Sequence, residues 1–373
     1  MRALSWALAA ALAVGACTGD PVGESPADSG TGGATDAGAD STPDAPTDAG
    51  GASAQVLAAG RDCPSDLRVS GGSVLWVDQG SLQNSGKDGV VATMPAVGCS
   101  DDSGVCIVTL ASQQHSPAAV EIDPPTGDVY WATVGDDSVW RLPSQGKTPE
   151  AVATAQIFPR SLAIDDTSLF WVNAGAAGSS DGELRRRYLD GGTAGGIAVV
   201  AGLESPVDVV VLGTKFYLTI GGISDTTGAV SSADITGAGY AVLAKDQSRP
   251  RGITASAVHL YWANSSDGTI RRAQLDGSEQ VTLVSGRPTP SDVAVDAKGI
   301  YWVEAGTPSQ FTDGAVMAAD LEGKKITALA QAQRDPRKVA LDATHVYWLN
   351  RGTQGVQACT QHDGSVMRIA KPW

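Results

Sequence analysis

The chain has 373 residues, with 41 Asp and Glu against 26 Lys and Arg and a formal net charge of −15. Seven of the acids lie in residues 18–53, and residues 54–373 keep a net −9 from 25 basic and 34 acidic side chains. An acidic balance in both parts argues against nucleic acid as a partner and against adhesion to anionic lipid.

Residues 1–17 read as an export signal: Arg2 is a short basic start, and the apolar run to Ala16 is too short to span a bilayer. Val14-Gly15-Ala16-Cys17 resembles the lipobox of bacterial lipoproteins, which implies that Cys17 is lipidated and becomes the mature N-terminus. A plain secretory peptide is the simpler alternative. Thr18, not Asp, follows the cysteine, and the lipoprotein sorting habit then implies the outer membrane, with surface or periplasmic orientation open. Residues 18–53 contain no aromatic, one branched aliphatic (Val22) and seven acids that meet no base. Such a stretch buries too little apolar surface to offset its ordering entropy, so it reads as a disordered tether. The membrane is then reached only through the N-terminal lipid.

From residue 54 one phrase recurs seven times: a proline, a short alternating strand, a turn, and a second strand carrying an aromatic pair. The pairs are Leu75-Trp76, Tyr130-Trp131, Phe170-Trp171, Phe216-Tyr217, Tyr261-Trp262, Tyr301-Trp302 and Tyr347-Trp348. The proline stands 12 residues before the second aromatic in five copies: Pro64, Pro159, Pro250, Pro290 and Pro336. Pro117 lies 14 before Trp131 because Asp123-Pro-Pro-Thr-Gly127 lengthens the turn, and Pro206 reads as 11 before Tyr217. A polar loop and an Asp-Gly step open a third strand at Asp88-Gly89, Asp181-Gly182, Asp267-Gly268, Asp313-Gly314 and Asp363-Gly364, a step suited to turns because both residues tolerate positive φ. A fourth strand follows, as in Val281-Thr-Leu-Val284. Four strands in each of seven units predict an all-β, seven-bladed β-propeller over residues 54–373. The last unit lacks a fourth strand after Ser365–Ala370, and Gln55-Val-Leu-Ala58 has the outer-strand pattern without a blade of its own. This N-terminal strand is expected to complete the last blade and close the ring.

In that topology Cys63 and Cys359 lie in loops on one face, and Cys99 and Cys106 bracket a hairpin loop. Two disulfides, Cys63 to Cys359 and Cys99 to Cys106, are the expected pairing of three, against four reduced thiols as the alternative. The tryptophans of the aromatic pairs read as packing between blades. The residues two further on, Asp78, Thr133, Asn173, Thr219, Asn264, Glu304 and Asn350, read as turn caps.

Candidate site residues lie just after the repeat prolines, at the expected mouth of the central channel. Round the ring they are Asp66, then Ala118 and Ala119, Arg160, Asp208, Arg251, Asp292, and Arg337 with Lys338. Alternating signs suit either an ion-pair ring tying blades together or a polar site for a zwitterion, a sugar acid or a peptide terminus. Long loops before the third strands, from Asp78, Asn173, Glu304 and Asn350, are expected on the same face. The four histidines fall at unrelated repeat positions, and no phosphate loop, nucleophile elbow or calcium loop occurs, so no metal, cofactor or catalytic residue is predicted.

The aromatic pairs, the Asp-Gly steps and segments such as Gly268-Thr-Ile-Arg-Arg-Ala-Gln-Leu-Asp-Gly277 resemble the YWTD repeats of low-density-lipoprotein-receptor-type propellers and, more loosely, NHL and gluconolactonase-type propellers. The resemblance covers residues 54–373 and departs in blade number, six being usual, and in the final aspartate, present only as Asp78. It implies protein recognition. The expectation is thus a lipid-anchored envelope propeller, non-catalytic, binding an unidentified protein or small polar ligand. A channel-site enzyme is the alternative, a lactone hydrolase or lyase using Asp66, Asp208 and Asp292 as metal ligands, and a purely structural envelope protein is a third.

Overall fold

The computed structural model describes residues 53–373 except 100–105, 193–194, 309–310, 356–357 and 360–361. The export signal, Cys17 and all but the last residue of the tether lie outside the described residues.

Each repeat proline opens an inner strand, a place where its missing N–H costs no ladder bond: Pro64–Ser70, Pro117–Ile122, Pro159–Ile164, Pro206–Leu212, Pro250–Ala255, Pro290–Val295 and Pro336–Leu341. In six sheets three further antiparallel strands follow in chain order. In the seventh, Pro336–Leu341, His345–Asn350 and Gly364–Ala370 are completed by Gln55–Arg61, with Gln55 opposite Arg368 and Arg61 opposite Gly364. Successive inner strands lie side by side, the seventh against the first. The ring is the seven-bladed β-propeller that the repeat predicts, closed by the strand expected to close it.

The cores lie between blades. The first ring of one pair packs with the second ring of the next: Tyr301 with Trp348, Tyr347 with Trp76, Tyr261 with Trp302, Tyr130 with Trp171. All six tryptophans of the aromatic pairs, Trp131 and Trp262 included, are fully buried, each removing a large apolar area from water while its indole N–H still needs an acceptor. In four blades that acceptor is a glutamine three residues before the repeat proline. Trp131 donates to Gln114 at 2.8 Å, Trp171 to Gln156 at 2.9 Å, Trp262 to Gln247 at 3.0 Å and Trp348 to Gln333 at 3.0 Å. Asn173, Asn264 and Asn350 donate to the same glutamine oxygens. In blades one and six an arginine replaces the glutamine and an acid replaces the asparagine: Arg61 with Asp78, and Arg287 with Glu304 at 2.5 and 2.9 Å, the acid also accepting from the tryptophan. These residues are therefore clasps to the end of the preceding outer strand. The expected turn cap appears at Thr133, donating to the Ser138 carbonyl, and at Asn264, whose amide also donates to the Thr269 hydroxyl at 3.2 Å.

The fourth blade corrects the sequence alignment. Val209 pairs with Leu218 and Pro206 with Ile220, as Val293 pairs with Trp302 and Pro290 with Glu304 in the sixth. Its repeat pair is thus Tyr217-Leu218, no residue is deleted, and Thr219 is not the equivalent of Asp78. The clasp there is wholly apolar: Leu203, Leu218 and Ile220 share one buried core.

The glycines after Asp88, Asp181, Asp313 and Asp363 do not serve positive φ. A Cβ on Gly89, Gly182, Gly314 or Gly364 would run into Cδ of the next blade's proline (Pro117, Pro206, Pro336 or Pro64). Gly268, at φ +66°, is the exception that matches the expectation. Left-handed backbone instead recurs where no glycine advertises it, at the residue before every repeat proline: Cys63, Ser116, Phe158, Ser205, Arg249, Thr289 and Asp335. Each of those carbonyls accepts a backbone N–H from the loop that follows the aromatic strand, for example Ala174 to Phe158 and Ala305 to Thr289, both at 3.0 Å. Cys99 and Cys106 form the expected disulfide, and Cys63 is disulfide-bonded too; the side chain of its expected partner, Cys359, lies outside those described.

Candidate ligand site at the channel mouth

The loops after the aromatic strands are pinned beside the prolines: Gly80 N–H donates to the Asp62 carbonyl, Gly175 to Ile157 and Gly352 to Arg334. The strand starts and the long loops therefore share a face. The loops are built structures: Asp88 accepts from the Ser81 amide at 2.8 Å, Asp313 from Thr307 at 2.8 Å and Asp363 from Thr353 at 2.9 Å.

A break in register follows the repeat proline in every blade, so the next residue sits in a β-bulge. The candidate residues thereby divide into two sets that do not form one alternating ring. Arg160, Arg251 and Arg337 occupy the bulge position; Asp66, Asp208, Asp292 and Lys338 stand one residue later. Two separate arrays result, and ion pairing between blades runs through one of them, from Lys338 to Asp292 and Asp208.

The deeper array holds the three aspartates, all buried. Each reaches across to a backbone amide of the following blade: Asp66 to Val120 at 2.9 Å, Asp208 to Ile253 at 3.2 Å and Asp292 to Val339 at 3.0 Å. Ser161 donates to Asp208 at 2.6 Å. Lys338 of the seventh blade lies 3.5 Å from both Asp292 of the sixth and Asp208 of the fourth, directly across the ring. Arg68, not anticipated from the sequence, pairs with Asp66 and Glu121 at 2.8 Å each. Two of the carboxylates, Asp208 and Asp292, converge on an ammonium, and the third, Asp66, meets the Arg68 guanidinium. Burial alone would lower the Lys338 pKa, but Asp208, Asp292 and Asp66 outweigh it and hold the amine charged. Burial raises the Asp292 carboxyl, with Asp208 and Asp66 adding like-charge repulsion and Lys338 opposing, to about 6; Asp208 is held below the usual range, Lys338, Ser161 and Arg68 outweighing its burial.

The second array is cationic. The charges that weigh most on Arg251 are four other guanidiniums, Arg160, Arg337, Arg249 and Arg351. Arg337 pairs with the fully buried Asp335 at 2.6 Å, with Arg351 3.6 Å from the same acid, and Arg249 pairs with the exposed Asp225 at 2.5 Å. Arg251 places Nε 3.4 Å from the Ser265 hydroxyl. Among the described residues no group of three or more His, Cys, Asp or Glu is arranged to hold a metal.

No family model matches the chain, and no curated protein does. Solved structures do. A streptogramin B lyase superposes with a TM-score of 0.62 at 12% identity, over 86% of this chain and 97% of its own. A nidogen/laminin complex gives 0.50 at 17%, over 66% and 90%. A puromycin-hydrolyzing peptidase of Mycobacterium tuberculosis gives 0.60 at 15%, over 83% of this chain and 51% of its own. The likeness is one of fold. The neighbours include binding partners and enzymes alike, so function rests on the site.

Proposed function

We propose that this chain is a YWTD-like envelope lipoprotein, lipidated at Cys17 and held off the outer membrane by the acidic tether of residues 18–53. Its propeller is a non-catalytic binding module that offers the channel mouth and its pinned loops to a protein or small polar ligand. The observation that carries the reading is Lys338. Its ammonium stands 3.5 Å from Asp208 and Asp292, where a metal-using channel enzyme needs an open coordination position. Each of the three aspartates also accepts a backbone amide of the next blade, which is how a buried acid serves a scaffold.

The second reading, a hydrolase or lyase, is favoured by Asp292, whose carboxyl near 6 lies in the range of a general base. Assaying the full-length chain in mild detergent for lactone hydrolysis and for ring-opening elimination, with divalent metals and with chelator, separates the two. The binding reading expects no turnover above buffer under any condition. Turnover that disappears in Asp292→Asn would establish the enzyme. Radiolabelled palmitate incorporated by the wild type and not by Cys17→Ser is the expected result for the anchor.

A further inference from the structure

We propose that the arginine array at the mouth is a binding site for a compact organic anion carrying two or more carboxylate or phosphate groups. The inference deepens the binding reading and rests on it.

Three of the arginines occupy one repeat position on alternate blades: Arg160 on the third, Arg251 on the fifth and Arg337 on the seventh. Each is the bulge residue of its inner strand, and a bulge re-aims a side chain that regular pleating would direct elsewhere. The other bulge positions carry Ser65, Ala118, Val207 and Ser291, of which both serines are spent on the proline carbonyl of the next blade. Positive charge at this position therefore comes from alternate blades, the third, fifth and seventh. Two more arginines flank it, Arg249 before Pro250 and Arg351 after Asn350. Asp335 pairs with both Arg337 and Arg351, and the exposed Asp225 pairs with Arg249. Among the described residues no carboxylate forms an ion pair with Arg251, whose hydrogen-bond partner is the neutral Ser265. Burial and the four neighbouring guanidiniums hold Arg251 down to about 9, so a multivalent anion relieves repulsion already present in the folded protein.

The floor below limits what fits. Asp208, Asp292 and Asp66 lie one residue deeper and repel an anion, and Lys338 is already engaged by two of them. The ligand stays at the mouth, its charges directed at guanidiniums from different blades. Guanidiniums match carboxylate and phosphate oxygens in a bidentate fork, which an ammonium does not. A single carboxylate reaches one or two forks; separation by an intervening blade calls for a molecule whose anionic groups stand apart on one small skeleton.

The test is calorimetric titration of the full-length chain in mild detergent with citrate, fructose 1,6-bisphosphate, inorganic phosphate and acetate, at low and high salt. At least one of the first two is expected to bind about tenfold or more tighter than acetate, salt weakening it; which one separates polycarboxylate from phosphoester chemistry. Arg251→Gln is expected to cost about tenfold in that affinity without lowering the melting point of the unliganded protein. Arg160→Gln gives the same readout should the first variant fail to fold. Equal affinities for citrate, bisphosphate and acetate, or unchanged affinity in both variants, overturn the inference. If no anion binds while a neutral sugar or a peptide raises the melting point, the anion site is refuted and the binding module stands. Turnover in the lactone assays refutes the module itself.

Discussion

At the residue scale the interblade clasp is the recurrent solution to one problem, a buried indole N–H that must find an acceptor. Gln156→Ala leaves both Trp171 and Asn173 without theirs, and unpaired buried donors cost about 1–3 kcal/mol. A lower urea midpoint is expected, with the circular-dichroism spectrum unchanged before the transition. Ala155 presents the opposite case: exposed, at φ +54°, in the repeat position where Gly60, Gly202 and Gly286 stand in other blades. Ala155→Gly relieves left-handed strain at the expense of a looser unfolded chain and is expected to stabilise by about 0.5–1 kcal/mol. Neither feature was legible beforehand. Gln156 lies 15 residues before its tryptophan, just past the outer strand Glu150–Ala153 of the previous blade, where periodicity shows only a polar end. The residues at positive φ before the prolines are Cys, Ser, Phe, Arg, Thr and Asp, types that carry no common signal for that backbone. The fourth blade misled for a related reason. Phe216-Tyr217 looks like the aromatic pair, yet the strand register follows burial, and Leu218 fills the tryptophan's place.

At the element scale the inner strands were read correctly and their first residues were not. Strand pattern, proline and turn are short-range signals. A bulge resets which face each side chain takes, so residues adjacent in sequence, such as Arg337 and Lys338, join different arrays. Two outcomes follow for these strands. Gly314→Ala sets a Cβ against Cδ of Pro336 and 2.8 Å from the carbonyls of Gln333 and Glu304. Two backbone carbonyls and a rigid proline ring have little freedom to yield, and a loss of about 1–3 kcal/mol is expected in denaturant titration. Asp292 gives a pH signature. Its carboxyl is raised to about 6, so between roughly pH 4 and 6 the folded protein keeps a proton that the unfolded chain has released. Its contribution to stability therefore falls as pH rises through that window. Asp208, held low beside the same Lys338, contributes in the opposite sense and only below about pH 4. Asp292→Asn is expected to flatten the fall of melting temperature between pH 4 and 7 relative to the wild type; parallel curves would contradict the assignment.

At the scale of the whole molecule, blade number and closure were legible because both rest on counting: seven prolines, and one outer strand left over at the start for one missing at the end. Charge convergence in the channel was not, since no local pattern tells that Lys338 reaches across to Asp208. The closure has a mechanical reading. Removing residues through Arg61 strips the partner of Gly364–Ala370 and the Arg61 to Asp78 clasp together. The bared strand edge is expected to show as aggregation in size-exclusion chromatography and as a lost or lowered thermal transition. The seal also sets a schedule. Gln55 and Arg368 hydrogen-bond across 313 positions of sequence, and pairings of such separation are slow to form. Each blade can assemble locally as it emerges, whereas the lock waits for the final strand to be synthesised. A ring that joins its first strand to its last is therefore complete only when both strands are present, however early the separate blades take shape.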